Sequence, residues 1–187
     1  MADGLVEMFV ESVRLHMLSN RHVVILKEPD RERYLPIWIG SWEASAIAMR
    51  LQGLTPERPL THDLFAAALG ELGVRVDRVV ITNLAEETFH ARLVFERDGR
   101  KIELDARPSD ALALAVRTDA PIFAVEEVLA RAALGAESAM LQGEEGTSTV
   151  VESTGASPAD PRLDVFRDFI NSLDLDLGGG GGSKSAD

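Results

Sequence analysis

The stretch Asp105-Ala106-Arg107-Pro108-Ser109-Asp110 sets two carboxylates, a guanidinium and a hydroxyl within six residues. Ordinary cores exclude such groups unless they are paired. Two further stretches share the pattern of a hydroxyl residue followed closely by an acid, Thr61-His62-Asp63 and Ser41-Trp42-Glu43. His62 suits proton transfer because an imidazole titrates near neutrality, and its neighbour Asp63 is placed to share the work. Arg107, planar and permanently charged, suits a bidentate grip on an anion. Glu43, Asp63, Asp105 and Asp110 are the carboxylates suited to hold a divalent cation, although no spacing among them defines a metal site by itself.

Each group also has a structural reading. Ser41, Thr61 and Ser109 are expected as N-caps, and an acid in the first turn interacts favourably with the helix dipole, each effect being worth about 0.5–1 kcal/mol. His62 then packs at a helix start, and Arg107 pairs with Asp105 or Asp110. Caps need neither His62, Arg107 nor Asp105, so both readings stand at this level.

The elements that must carry these residues follow from periodicity. Strands are expected from Val6 to Leu15, Val23 to Leu26 and Tyr34 to Ile39, with a tight turn at Ser19-Asn20-Arg21. A helix from Ser41 to Leu51 and another from His62 to Leu72 are separated by Gly53, Pro56 and Pro59. Strands follow at Val74–Leu84, Phe89–Glu96 and Lys101–Asp105, the last two joined by Asp98-Gly99. A helix from Pro108 to Arg117, a short strand at Ile122–Val125 and a helix at Glu126–Leu134 complete the series. The fold class is α+β, with mostly antiparallel sheets, clustered helices and a suggestion of a duplicated three-strand-plus-helix unit. Trp38 is expected in the core; His16, His22 and His90 have no ligand partner at useful spacing.

The chain has 187 residues, 45% of them hydrophobic but only 5% aromatic, so an aliphatic core of one domain is expected. The absence of cysteine excludes disulfides, thiolate metal sites and cysteine nucleophiles. No signal-like leader, membrane-length apolar run or phosphate-binding glycine loop occurs, and a cytoplasmic protein without membrane association is expected. The net charge of −12 is concentrated late: ten acids and three bases follow residue 134. The expected organisation is a domain over 1–134, a disordered acidic linker over 135–161, a short amphipathic helix over 162–177 and a flexible glycine-serine tail over 178–187.

Three stretches, taken together and in order, carry a resemblance. Leu35-Pro36-Ile37-Trp38-Ile39-Gly40 with Glu43-Ala44, then Arg58-Pro59-Leu60-Thr61-His62-Asp63-Leu64, then Asp105 through Arg117, resemble the bifunctional nuclease family of bacteria and plants. The resemblance covers roughly residues 5–134. It implies an α+β domain with nuclease activity on DNA and RNA, assembled as a homo-oligomer. Phosphodiester hydrolysis needs an activated water, charge neutralisation at the phosphoryl oxygens and help for the leaving oxygen. On chemical grounds the expected catalytic residues are His62, Asp63, Asp105, Arg107 and Asp110. Ser109 is a candidate for phosphate contact and Trp42 for base stacking. Mg2+ or Mn2+ is the expected cofactor, held by Glu43, Asp63, Asp105 and Asp110. Against this stands the acidity of the folded part, since polyanion binding normally uses a positive face. The alternative is a non-catalytic oligomeric module that binds a protein partner or small ligand at the same junctions.

Overall fold

The computed structural model describes residues 4–16, 19–136 and the backbone of 147–152. Two antiparallel three-stranded meanders make up most of it. The first comprises β1 (Leu5–His16), β2 (Arg21–Lys27) and β3 (Arg33–Ile39); the second comprises β4 (Arg75–Ala85), β5 (Thr88–Arg97) and β6 (Arg100–Ala106). Between the first and second meanders run helices α1 (Ser41–Leu51) and α2 (Thr61–Glu71). After the second come α3 (Pro108–Thr118), β7 (Ile122–Val125), α4 (Glu126–Ala132) and β8 (Leu134–Gly135). The sheet order is β6-β5-β4-β7-β1-β2-β3-β8. Strand β7 joins the meanders, pairing parallel with β4 and antiparallel with β1. The fold is α+β, as the alternation of apolar residues and the hairpin turns imply.

Local chemistry explains the turns. Asp98 and Gly99 both have positive φ (51° and 74°), the conformation that a two-residue hairpin loop demands and that an Asp-Gly pair adopts at little cost. Asn20, at φ 50°, also takes the left-handed conformation, immediately before β2.

One core holds the domain together. It draws Met8, Val13, Leu26 and Leu35 from the first meander and Val79, Ile81, Leu93 and Phe95 from the second. Ile47 of α1 and the run Ala111–Ala115 of α3 lie over them. Alanines let α3 press closely on the sheet, and every residue from Ala111 to Ala115 is buried. Helix α2 buries none of its residues fully and leaves Leu64 and Phe65 exposed; Leu72 at its C-cap is exposed as well.

Trp38 departs from the core expectation. It alternates with the buried Leu35 and Ile37, so it faces away from the helices and is 39% exposed. The Arg21 guanidinium covers its ring at 4.6 Å, and His16 meets it edge-on. Thr147–Glu152, inside the segment expected to be a disordered linker, forms a strand β9 antiparallel to β1. The expected amphipathic helix over 162–177 and the tail over 178–187 lie outside the described residues. No helix among the described residues is long and apolar enough to cross a membrane.

Candidate functional site

An open cleft of about 470 Å3 lies where the first turns of α1, α2 and α3 meet. It is lined by Trp42 and Glu43 of α1, Thr61 and His62 of α2, and Arg107 and Asp110 at the entry to α3. Met49, Ala46 and Leu60 supply its apolar wall. Three stretches far apart in sequence therefore converge, because each helix start follows a strand or loop ending at the same rim.

The polar groups form a continuous chain. Glu43 Oε1 accepts from Arg107 Nη2 at 2.9 Å. Arg107 also donates to Asp110 twice, through Nε at 2.8 Å and Nη2 at 3.2 Å. Asp110 Oδ1 in turn lies 3.2 Å from His62 Nε2. A carboxylate in that position favours the tautomer protonated at Nε2, which leaves Nδ1 as the basic nitrogen. Both carboxylates raise the affinity of the Arg107 guanidinium for its proton, Asp110 most strongly. The Arg107 side chain is nevertheless 68% exposed, and its bonds to Glu43 and Asp110 run through Nε and Nη2. Trp42, at 86% exposure, stands at the mouth.

The adjacent Asp63 is held differently. Its Oδ2 accepts the Leu60 amide at 2.8 Å and its Oδ1 accepts from Arg117 Nε at 2.6 Å. Burial works to raise the Asp63 carboxyl, but the bonds from Arg117 and the Leu60 amide outweigh it and hold the group below the usual carboxylate value. Arg117 itself is only 5% exposed and also donates to the carbonyls of Ala113 and Ala46. This pair ties α2, α3 and α1 together behind the cleft.

The remaining expected site residues are placed as follows. Asp105 is exposed on β6 and does not line the cleft, because strand alternation puts it on the sheet face opposite Leu104 and the core. Ser109 is 6% exposed within the first turn of α3 and also does not line the cleft. None of the three expected hydroxyl caps forms: the N-cap positions are Gly40, Leu60 and Arg107, with Ser41 and Thr61 one residue inside their helices. At α2 a carboxylate takes a capping role, Asp63 bonding the Leu60 amide; at α1 no side-chain cap bond forms, and Glu43 folds back so closely that a Cβ on Gly40 would strike its Oε2. The carboxylates expected to share a metal do not gather. Arg107 occupies the space between Glu43 and Asp110, Asp63 faces Arg117, and Asp105 lies elsewhere, so no group of three metal-binding side chains exists among the described residues.

Arg117 was not singled out by motif. Its signal was nonetheless present: it stands seven residues after Asp110, which returns it to the same helix face.

Residues 24–137 match the profile of the bifunctional nuclease domain. The chain is 40% identical over 170 residues to an uncharacterized protein of Mycobacterium tuberculosis strain H37Rv, covering 91% of this chain and 96% of that one. It is 27% identical over 114 residues to bifunctional nuclease 1 of Oryza sativa subsp. japonica, covering 59% of this chain but 34% of the rice protein. The bifunctional nuclease of Oryza minuta matches at the same 27% identity. With its family profile spanning the strands and helices that build the cleft, the chain belongs to the bifunctional nuclease domain family.

Proposed function

We propose that the protein is a nuclease that hydrolyses phosphodiester bonds in DNA and RNA at the cleft between α1, α2 and α3. The observation that carries this reading is the linked series Glu43, Arg107, Asp110 and His62 along one open rim. An imidazole oriented by a carboxylate is a competent general base for water, and Asp110 supports the imidazolium that results. The exposed guanidinium of Arg107 provides a donor for a phosphoryl oxygen, and its charge offsets what accumulates there in the transition state. Glu43 holds the guanidinium in place from the other side. Trp42 offers an exposed ring for a flanking base, which favours substrates whose bases are unpaired.

The donor set does not fit a resident Mg2+ or Mn2+, since the Arg107 guanidinium stands between the two rim carboxylates and holds an oxygen of each, and no third carboxylate among the described residues joins them. No step of this reading passes through a metal. Nucleic acid is the proposed partner, the cytoplasm the proposed compartment and self-association the proposed state.

The test is a nuclease assay on wild type, His62→Ala and Arg107→Ala, purified identically, on single-stranded and duplex substrates with and without chelator. Loss of turnover in both variants with unchanged melting supports the reading. Equal residual activity in all three would assign the turnover to a contaminant and leave a binding module. Abolition by chelator alone would show that a divalent cation is required and would overturn the metal-free step.

A further inference from the structure

Strand β6 ends the sheet, and nothing among the described residues pairs with its outer edge. Six of its seven residues are exposed. Ile102 and Leu104 lie 46% and 49% exposed on the face that carries the core, opposite the buried Phe95 and Leu93 of β5. An open edge bearing apolar groups is a template for another strand. Its charges decide which strand fits.

Backbone parity is fixed by the hairpin. Arg97 pairs with Arg100 across the two-residue Asp98-Gly99 loop, so that pair exchanges both hydrogen bonds and the pattern alternates from there. Arg100, Ile102, Leu104 and Ala106 therefore turn their amides and carbonyls toward β5, while Lys101, Glu103 and Asp105 turn theirs outward. A second β6 running antiparallel about a two-fold axis meets these outward groups in a small set of registers. With the axis at 104, Glu103 faces Asp105 twice. With the axis at 103, Lys101 faces Asp105 on both sides but Glu103 faces its own copy; with the axis at 101, Lys101 faces its own copy. With the axis at 102, Lys101 faces Glu103 on both sides of the axis and Ile102 packs against Ile102. Like charges directly opposite are destabilising and opposite charges favourable, so the register at 102, the one of these four with no like pair, is selected. Lys101 pairs with Asp77 and Glu103 with Arg92 within the chain, but these bridges are partly exposed and exchangeable.

We infer that β6 is a self-association edge, pairing antiparallel with β6 of a second copy about a two-fold axis at Ile102, with Lys101 of each copy opposite the partner's Glu103. The pairing covers Ile102 and Leu104 and makes one continuous sheet from two. The inference rests on β6 alone and is independent of the nuclease reading. It also gives the interface a built-in refusal of other strands, because an edge carrying two bases and two acids in this order matches few sequences besides itself.

The absence of cysteine makes the register directly testable. In the full chain, Ile102→Cys should give a covalent dimer under mild oxidation, because the axis pair is a non-hydrogen-bonded one with its Cβ atoms close. Glu103→Cys and Leu104→Cys should give little. Light scattering on the wild type should report at least twice the 20.3 kDa chain mass. Lys101→Glu should lower that mass to the single chain, and Lys101→Glu with Glu103→Lys should restore it. Thermal melts of each variant separate lost pairing from lost folding. A monomeric wild type, a mass indifferent to Lys101→Glu, or cross-linking that favours position 103 or 104 over 102 would overturn the inference.

Discussion

Helix α3 carries an arginine near each end, and the two are employed in opposite ways. Arg107 pairs with Glu43 and Asp110 while 68% exposed; Arg117 pairs with Asp63 and two carbonyls while 5% exposed. The same guanidinium–carboxylate chemistry is thus exchangeable at one end and fixed at the other. An exposed pair is worth at most about 1 kcal/mol, so a phosphate can displace or join it. A buried pair, once formed, is expensive to break because its surviving partner is left charged and dry. Adjacent residues on α2 mark the same division, with His62 reaching toward the open end and Asp63 toward the closed one.

That division can be broken most sharply at its functional end. His62→Ala removes the proposed base and should lower kcat by about a thousandfold, with the melting temperature nearly unchanged. At the closed end the effects should exchange places. Asp63→Ala strands Arg117 and frees the Leu60 amide, and should cost about 3 kcal/mol of stability in urea unfolding. Whatever activity the folded fraction retains should approach wild type. A variant that lost turnover while keeping its stability would move Asp63 into the reaction and erase the contrast.

Arg107→Lys sharpens the comparison at smaller amplitude. Lysine keeps the charge but cannot span Glu43 and Asp110 while offering a further donor, so kcat/KM should fall about tenfold with little change in stability. The same exchange at Arg117 should act on stability instead, since its three acceptors lie in different directions around one planar group.

How much of this was legible beforehand depends on the range of the interaction. The strands and helices could be placed because alternation and helical spacing are local, and Asp98-Gly99 and Pro108 mark their boundaries. His62, Arg107, Asp110, Glu43 and Trp42 could be nominated because their types suit the chemistry, and they do share one cleft. Partnerships could not be read. Asp63 looks like a companion to His62 in sequence, yet adjacent residues on a helix point about 100° apart and so face different neighbours. Asp105 adjoins Arg107 in the chain but belongs to a strand, where alternation turns it away. The hydroxyl caps failed for a related reason: the N-cap positions fall one or two residues before those hydroxyls, on Gly40, Leu60 and Arg107.

The smallest effect concerns acid. Because Arg117 and the Leu60 amide hold the Asp63 carboxyl below its unfolded value of about 3.9, the native state binds this proton more weakly than the unfolded chain does. The stability gained from that difference is complete above the unfolded value and is lost as pH falls through the folded one. Asp63→Asn has no such group to titrate. The free-energy gap between wild type and Asp63→Asn should therefore stay level from neutrality down to about pH 4 and narrow below it. If the gap widened in acid instead, burial would have outweighed the arginine, and the closed end of α3 would store strain where the present geometry places a clamp.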